Sequence, residues 1–296
     1  MHEPVLLKET IENLNLKPGK FIIDGTINGG GHSKEILKKI SPNGMLLGID
    51  LDQEIVDLTR KELENHGRLL KSKVIIMNGN YADLSQILEK ENLGLADGLL
   101  LDLGFSSWHI DNSNRGFSFL KDEPLIMSYK NSGKTVKDFL NQASLDEIYQ
   151  VIKKYGEERY AFRIAKRITE QRKIKTIKTT KDLVNIINQV VPKFYKYQKL
   201  HPATKTFQAL RIYINNELEN LKNVLEDLKK IVKKGGRVLI ISFHSLEDRL
   251  VKNYFKKMEE DNEIKILTKK PITPTQNEIL NNPKSRSAKL RVGLIL

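Results

Sequence analysis

A glycine-rich stretch and an acid that follows it form a pattern that suits nucleoside binding. The stretch DGTINGGGHSKEIL, which starts at Asp24, places three consecutive glycines directly before a predicted helix. Glycine allows positive φ and lets a ligand approach the backbone closely. Asp50 follows Gly30 by twenty residues, where an acid in nucleotide-binding α/β folds accepts hydrogen bonds from ribose hydroxyls. The pattern therefore predicts a bound ribose.

Tyr81 and Asp102 extend this pattern. Tyr81 stands in GNY after a third apolar run and can pack against a purine, and Asp102 ends the apolar run LLLD. Acids at three adjacent strand ends (Asp24, Asp50 and Asp102), together with the glycine loop, fit S-adenosylmethionine. The alternative interpretation is that Asp24 and Asp50 cap helices.

The glycine loop lacks the features that hold a pyrophosphate. Gly29 and Gly31 match the start of the dinucleotide fingerprint Gly-x-Gly-x-x-Gly, but Lys34 stands at the third glycine position. The Gly-Lys-Ser/Thr sequence of a phosphate-binding loop is also absent. We therefore predict a nucleoside ligand, and the pattern disfavours an NAD-dependent dehydrogenase, the main alternative enzyme class.

Buried strands that alternate with helices must position these residues. The continuous apolar runs are KFIID from Lys20, MLLGIDLD from Met45, KVIIMNGNY from Lys73, DGLLLDLG from Asp97 and GGRVLIISF from Gly235. Runs of this kind predict a parallel sheet covered on both faces. Near the C-terminus, a loop rich in Pro, Asn and Ser precedes a predicted final strand that closes the sheet.

The middle of the chain follows a different pattern. From about Thr135 to Gln198 the sequence is amphipathic and basic, and it predicts helices throughout. We therefore predict one α/β domain, formed by residues 1–113 and 209–296, that is interrupted by a helical insert at residues 114–208.

Composition limits the classes of protein that need to be considered. The 296 residues contain 50 Lys and Arg against 37 Asp and Glu, a formal net charge of +13, and no cysteine. The charge predicts a polyanionic partner, most simply nucleic acid. The absence of cysteine excludes disulfides and thiolate metal sites, and we expect no metal. With neither a signal peptide nor a long apolar run, we expect a cytoplasmic protein without membrane contact.

Six short motifs carry a resemblance to a known family. They are GGHS, DLGFSS, RGFSF, YGEER, HPATKTFQALRI and ISFHSLEDR, within a likeness that runs from His2 to Val292. In them the chain resembles the RsmH (MraW) methyltransferases, which methylate the exocyclic N4 amine of a cytidine in the decoding centre (P site) of 16S rRNA. The resemblance implies a class I, Rossmann-like methyltransferase fold with an inserted all-helical domain. It also implies the small ribosomal subunit as partner and S-adenosylhomocysteine as product.

The resemblance further implies a set of cofactor contacts and reveals departures from the family pattern. The implied contacts are Gly30, Gly31, His32, Asp50, Tyr81, Asp102 and His109. Relatives usually carry Phe at the position of Tyr81, Gln at that of His109 and Gly at that of Asn28. Asn tolerates positive φ, so we expect the turn to persist.

A larger departure lies in KDEPLIMSYK. The family usually has Pro-Leu-Asp-Met-Arg-Met there, whereas this chain has Ile126, Ser128 and Tyr129. An acid and an arginine are therefore missing from a segment that we expect to face the active site. This leaves a non-enzymatic alternative, a protein that binds S-adenosylmethionine and contacts rRNA with reduced or lost catalysis.

Two residues are candidates for direct roles in catalysis. The Pro-Pro-aromatic tetrapeptide of amino-methylating DNA enzymes is absent, and DLGFSS takes its place after the fourth strand. Asp102 can accept a hydrogen bond from the target amine or position the cofactor, and we favour positioning. His244, which follows the late strand, can contact the target base or a phosphate. The alternative is that it caps the next helix, for which Ser245 is better suited.

Candidates for substrate binding lie in both predicted parts of the chain. Arg115, Phe117 and Phe119 of RGFSF suit a flipped base stacked on a ring, with ordinary core packing as the alternative. The resemblance places His201 at the hinge between insert and core, and we add Ser242 and Ser245 as candidates. Basic residues of the insert can contact rRNA phosphates: Lys153, Lys154, Arg159, Arg163, Lys166, Arg167, Arg172, Lys173 and Lys175. The oligomeric state stays open, a homodimer included.

Overall fold

A computed structural model describes residues 4–104, 106–130, 133–192, 194–195 and 200–296. His2 and Phe105, which belong to the family motifs, and the end of the predicted helical segment at Gln198 lie outside the described residues. The chain forms two compact units, one of Met1–Ser106 with Leu218–Leu296 and one of Ser107–Glu217. The second unit thus extends beyond the predicted limits of the insert, 114 and 208, at both ends.

The first unit contains a seven-stranded sheet. Its strands are β1 Phe21–Asp24, β2 Met45–Asp50, β3 Lys73–Asn78, β4 Ala96–Asp102, β5 Val232–Ser242, β6 Ile264–Ile266 and β7 Lys289–Ile295. They are arranged in the order β3-β2-β1-β4-β5-β7-β6. Strands β1 to β5 are parallel to one another, and β7 is antiparallel to both β5 and β6. The predicted α/β fold with a mostly parallel sheet is confirmed.

Helices cover both faces of this sheet because successive strand residues point to opposite sides. The helices outside the second unit are α1 Leu7–Asn13, α2 Gly31–Ile40, α3 Gln53–Leu69, α4 Leu84–Lys90, α11 Glu217–Glu226, α12 Leu228–Ile231, α13 Ser245–Glu260 and α14 Gln276–Asn281. On one face of the sheet, Ile23 and Leu47 pack with α4, α11, α12 and α13. On the other, Ile22 and Leu46 pack with α1, α2 and α3.

The C-terminal part of the sheet differs from the prediction. The final strand, β7, does not close the sheet, because β6 pairs with its outer side and forms the edge. β6 has only three residues, too few for a recognisable alternation of apolar and polar side chains. The predicted loop before β7 also contains α14, whose first turn is capped by the Thr275 hydroxyl.

The second unit is helical, as predicted. It contains α5 Ser107–Asp111, α6 Val136–Gln142, α7 Leu145–Gly156, α8 Ala161–Ile174, α9 Thr180–Val190 and α10 Thr204–Asn215. Three of these helices start with reciprocal capping boxes, which pair Thr135 with Asp138, Ser144 with Glu147 and Thr179 with Asp182. Their apolar faces enclose a separate core. Within the described residues, every helix is too short or too polar to cross a membrane.

Candidate active site

Three carboxyl groups meet at one edge of the sheet. Asp24, Asp50 and Asp102 are the last residues of β1, β2 and β4, and these strands are adjacent and parallel. Their exposed fractions are only 1%, 9% and 4%. Buried acids are rare unless they are paired or serve a function, so this edge is the candidate active site.

The glycine loop is tied to all three acids. The backbone N–H of Asn28 donates to Asp50 Oδ2 at 3.0 Å, and the Ser33 hydroxyl donates to Asp24 Oδ2 at 2.6 Å. The hydroxyl oxygen of Thr26 accepts a hydrogen bond from the backbone N–H of Asp102 at 2.6 Å. The loop is therefore held in one conformation between the strand ends.

Two glycines of the loop, Gly30 and Gly31, have their own structural reasons. Gly30 adopts a φ of 73° directly before α2, and Asn28 adopts a φ of 49°, which confirms that Asn28 preserves the turn. A Cβ at position 31 would lie 2.7 Å from Pro4 Cγ, so Gly31 allows the N-terminal segment to pack closely. The loop requires glycine even before any ligand is considered.

The alternative that Asp24 and Asp50 cap helices is wrong. Helix α2 is preceded by Gly30, and α3 is capped by Asp52, whose side chain accepts a hydrogen bond from the N–H of Glu54. Asp50 Oδ1 instead accepts from the N–H of Asp52 at 3.0 Å. The Asp50 carboxylate is thus oriented by backbone groups on both sides of it.

Tyr81 lies beside this edge. It opens a short 3-10 helix directly after β3, and the Asn80 side chain caps that helix. A Cβ at Gly25, just beyond β1, would lie 3.3 Å from Tyr81 Cβ. The structure therefore brings the predicted purine-stacking residue next to the glycine loop, while its contact with a purine stays a prediction.

His32 lies next to Asp102. Its Nε2 is 3.0 Å from the carbonyl oxygen of Val5, and its Nδ1 is 3.7 Å from Asp102 Oδ2. Because a carbonyl can only accept, Nε2 is the nitrogen that carries the proton. His32 thus joins the N-terminal segment to the acid that ends β4.

Burial makes two of these carboxyl groups, those of Asp24 and Asp102, reluctant to ionise. It raises the pKa of Asp24 to about 7, against the hydrogen bonds from Ser33 and Thr26 and with a smaller contribution from the nearby charge of Asp50. Burial also raises the pKa of Asp102 to about 8, and the charges of Asp24 and Glu247 add to this effect. A cation bound at this edge would favour the ionised forms. These carboxyl groups therefore fit a nucleoside that carries positive charge, as S-adenosylmethionine does on its sulfur and its amino group.

His244 caps the helix that follows β5, a role for which Ser245 was expected to be better suited. It is the N-cap of α13, and its Nδ1 accepts a hydrogen bond from the N–H of Glu247 at 3.3 Å. Glu247 Oε2 in turn accepts from the N–H groups of Phe243 and His244. Glu247 is buried and was not among the predicted site residues. The spacing of a cap residue and a glutamate three residues later was the available signal.

Ser242 and Ser245 have contrasting environments. Ser242 is fully buried, and its hydroxyl donates to the carbonyl oxygen of Lys289 on β7 at 3.4 Å. Ser245 is exposed as the first residue of α13. Substrate contact by either residue stays a prediction.

In the second unit, His109 belongs to a cluster of aromatic rings. Its ring centroid lies 5.1 Å from that of Phe117 and 5.0 Å from that of Tyr129, and the last two rings are stacked at 5.2 Å. Arg115 donates from Nη1 to the carbonyl oxygen of Tyr129 at 3.3 Å and lies over the Trp108 ring. Phe117 is buried, which favours core packing over base stacking. Cofactor contact by His109 stays a prediction.

Phe119 and His201 form a separate stack. Their ring centroids are 4.6 Å apart at an interplanar angle of 11°, and Phe207 packs edge-on against Phe119. His201 Nδ1 accepts a hydrogen bond from the N–H of Ala203, and partial desolvation lowers the pKa of His201. Since neither ring of this pair is fully buried, it is better suited to stacking on a base than Phe117.

The segment that departs from the family pattern forms a fixed turn. Met127, at a φ of 51°, donates from its N–H to the carbonyl oxygen of Arg115. The Asn215 side chain donates to the carbonyl oxygen of Met127 at 2.7 Å and accepts from the N–H of Tyr129 at 2.9 Å. Ser128 is buried, and its hydroxyl accepts from the N–H of Lys130. Ile126, Ser128 and Tyr129 are thus accommodated in an ordered backbone.

Comparison with known proteins agrees with this geometry. A sequence model of the MraW methylase family matches residues 1–294. Proteins named ribosomal RNA small subunit methyltransferase H from Syntrophus aciditrophicus and Dictyoglomus thermophilum are each 44% identical to this chain. The match covers 99% of this chain and 96% of each of those proteins. The protein of that name from Clostridioides difficile is 43% identical over 99% of this chain and 98% of its own length.

These matches exclude the dehydrogenase alternative, because they identify a methylase along the whole chain rather than a nicotinamide-dependent enzyme. The cofactor predicted from the glycine loop and the acids is likewise the one that such methylases use. The chain belongs to the MraW methylase family, and its methyl donor is S-adenosylmethionine.

Proposed function

We propose that this protein transfers a methyl group from S-adenosylmethionine to the exocyclic N4 amine of a cytidine in the decoding centre (P site) of 16S rRNA, within the small ribosomal subunit. The observation that carries the proposal is the 44% identity, across 99% of the chain, to proteins named for methylation of small-subunit ribosomal RNA. The formal charge of +13 supports an RNA substrate.

The cofactor is held, in this proposal, by the edge of the sheet in the first unit. The Asp50 carboxylate accepts hydrogen bonds from the ribose hydroxyls, and Tyr81 packs against the purine. Gly30, Gly31 and His32 provide the close backbone approach. When bound, S-adenosylmethionine supplies a methyl group on a positively charged sulfur, which is the electrophile of the reaction.

Asp102 positions the reacting groups. Because it is buried, its electrostatic influence on a neighbouring cation is much stronger than in water. Once a cation lies beside it, the carboxyl group ionises and can accept a hydrogen bond. An acceptor for the amine hydrogens makes the nitrogen lone pair more available for in-line attack.

Each unit offers its own candidate for substrate contact, His244 in the first unit and the Phe119–His201 stack in the second. His244 stands at the start of α13, directly after β5, where ligands of α/β sheets gather. The stacked rings of Phe119 and His201 suit a base removed from its own stack. Arg115 and Phe117 of the second unit and Ser242 and Ser245 of the first stay candidates for substrate contact.

The test is methyl transfer itself. Labelled S-adenosylmethionine is incubated with the protein and with small subunits from a strain that lacks this modification. Label in the decoding-centre cytidine, located by nuclease digestion and mass spectrometry, is the expected result. Label in another nucleotide would contradict the N4-cytidine assignment.

The non-enzymatic alternative has a different expected result in the same experiment. It predicts tight binding of S-adenosylmethionine and of small subunits without incorporation of label. The observation that motivates it is the loss of an acid and an arginine at Ile126 and Ser128. The ordered hydrogen bonds of this turn favour the enzyme, because the backbone of the segment is fixed without those side chains.

A further inference from the structure

Helices α7 and α8 of the second unit carry a surface on which exposed cations rest on aromatic rings. We call it the α7–α8 surface and define it by Tyr149, Lys153, Arg159, Tyr160, Phe162 and Arg163. The two helices pack against each other through buried Ile148, Ile152, Ile164 and Ile168. The surface residues therefore stand on a rigid support.

The first half of the surface is centred on Phe162. This side chain is 54% exposed, which is unusual for phenylalanine. The Tyr149 ring lies edge-on to it at 5.8 Å, and Lys153 Nζ lies 5.2 Å from the centre of the Tyr149 ring. A flat apolar face, a half-buried tyrosine and a cation are therefore contiguous.

The second half of the surface is centred on Tyr160. The guanidinium carbons of Arg159 and Arg163 each lie 5.9 Å from the centre of its ring. Buried Glu158 fixes this region from inside, since its carboxylate accepts from the N–H of Tyr160 and from the Tyr195 hydroxyl. Phe162 and Arg163 are consecutive exposed residues of α8, so the two halves occupy neighbouring faces of the helix, about 100° apart around its axis.

The cations of this surface are not neutralised by the chain itself. Among the described residues, Lys153, Arg159 and Arg163 form no ion pair, whereas Arg167 on the same helix pairs with Glu170. Cations held over aromatic rings keep their charge available to a partner. Aromatic rings interleaved with unpaired cations are the combination that binds single-stranded nucleic acid, through base stacking and phosphate contact.

We propose that the α7–α8 surface binds a single-stranded segment of rRNA, with a base stacked on Phe162 and phosphates contacted by Lys153, Arg159 and Arg163. This inference rests on the proposed function for the identity of the RNA. A protein partner would favour matching acidic side chains and would not need the exposed face of a phenylalanine for base stacking.

The first experiment measures binding of a fluorescein-labelled single-stranded RNA of about 12 nucleotides, within the usual site size, to the full chain by anisotropy. Phe162→Ala is expected to weaken binding about tenfold, the typical effect of one lost base stack. Phe162→Trp should preserve binding and Phe162→Leu should not, because leucine keeps the apolar contact but loses the aromatic face. Equal affinities for the Leu and Trp variants would overturn base stacking.

Charge is tested separately. Each of Lys153→Gln, Arg159→Gln and Arg163→Gln is expected to weaken RNA binding a few-fold. Lys8→Gln removes the same charge from an exposed site in the first unit and should leave binding unchanged. All these side chains are exposed, so circular dichroism and thermal melting should match those of the wild type. Equal weakening by Lys8→Gln would show a non-specific charge effect and overturn the site.

The second experiment separates this inference from the proposed function. With small subunits as substrate, Phe162→Ala should raise KM and leave kcat unchanged. If the wild-type protein shows no methyl transfer, and the variants nevertheless bind RNA more weakly, the proposed function is wrong and the inference about the surface is supported. If KM rises while binding of the RNA oligonucleotide is unaffected, the surface contacts a ribosomal protein and the inference is wrong.

Discussion

The candidate sites of the two units hold their ionisable groups in opposite ways. In the first, the carboxyl groups of Asp24, Asp50, Asp102 and Glu247 are buried, and each accepts a hydrogen bond from a backbone N–H. In the second, the cations of the α7–α8 surface are exposed and rest on aromatic rings. One site holds carboxyl groups out of water, whereas the other displays cations in water.

This difference corresponds to two kinds of ligand. A small cation of fixed shape is bound best by a few fixed charges in a region of low dielectric constant, where each interaction is strong and little affected by salt. A flexible polyanion is bound by many weak contacts that release counterions. The first unit is therefore suited to the cofactor and the second to RNA, and each half of this comparison can be tested.

The largest expected effect is the loss of cofactor binding on removal of the Asp50 carboxylate. Asp50→Ala should weaken S-adenosylmethionine binding about a thousandfold, because two hydrogen bonds to a charged group are lost. The variant also releases the N–H groups of Asn28 and Asp52, which loosens the glycine loop. Isothermal titration calorimetry measures the effect.

Two further variants make this result interpretable. Asp57→Asn removes an exposed carboxylate from the same region, helix α3, and should leave cofactor binding unchanged. Asp50→Asn keeps an acceptor for one N–H of the loop, so it should fold like the wild type and still bind weakly. Wild-type affinity in Asp50→Asn would show that the ribose does not depend on this carboxylate.

The next effect concerns the stability of the cofactor-free protein. In the folded chain Asp102 keeps its proton up to about pH 8, whereas in the unfolded chain it loses the proton near its ordinary pKa of 3.8. Between these values the folded state binds more protons than the unfolded state, so this group makes stability fall as pH rises and has no further effect above pH 8. Asp102→Asn should remove this fall, so that between pH 5 and pH 8 the free energy of unfolding of the wild type falls by on the order of 3–4 kcal/mol relative to that of the variant.

Urea unfolding near pH 5 and near pH 8 measures this difference. The asparagine side chain can still accept from the N–H of Gly104, so the local backbone should be preserved. If the free energy of unfolding depended on pH in the same way in the wild type and in Asp102→Asn, Asp102 would be ionised over the whole range. The contrast between a buried, protonated carboxyl group and exposed cations would then be wrong for this residue.

The same carboxyl groups should link cofactor binding to pH. A cationic ligand favours ionised Asp24 and Asp102, so its binding releases protons, and affinity should rise about tenfold from pH 6 to pH 8. Calorimetry near pH 7 in two buffers with different ionisation enthalpies measures the released protons directly. S-adenosylhomocysteine, which lacks the sulfonium charge, should release fewer, and equal release by both compounds would contradict a role for the sulfur charge.

A smaller effect separates two roles of His244. His244→Ala removes the N-cap of α13 and should lower stability by about 1 kcal/mol. His244→Asn supplies another good cap and should restore stability. If His244 also contacts the substrate, the Asn variant will still show a raised KM for small subunits. Full recovery of both stability and KM would assign His244 to helix capping alone.

The parts of the site that were predictable are those with strong local patterns. Asp24, Asp50 and Asp102 each end a continuous apolar run, so a parallel sheet necessarily brings them to one edge. The conformation of the glycine loop followed from residue types alone.

The parts that were missed lack such patterns. Histidine is not among the preferred N-cap residues, so Ser245 was favoured over His244 as the cap, and the buried Glu247 was not predicted. The Phe117–Tyr129 stack joins residues twelve positions apart in a segment without helical or strand periodicity. Exposure of Phe162 depends on how α7 and α8 pack, which the amphipathic pattern of α8 alone does not determine.

The smallest expected effect is a change in the salt dependence of RNA binding, which tests the role assigned to the exposed cations of the second unit. Each phosphate contact to a single strand contributes about 0.7 to the slope of log affinity against log salt concentration. Lys153→Gln should therefore reduce the slope for RNA binding by about that amount, while Phe162→Leu weakens binding without changing the slope. Anisotropy titrations across a range of KCl concentrations measure both.

The cofactor provides the internal control for this measurement. Its affinity depends on buried carboxyl groups, so it should change less than about twofold over the same range of salt. An equal salt dependence of cofactor and RNA binding would mean that both ligands meet exposed charge, and the distinction between the two units would fail. An unchanged RNA slope in Lys153→Gln would place the phosphate contacts elsewhere than on α7.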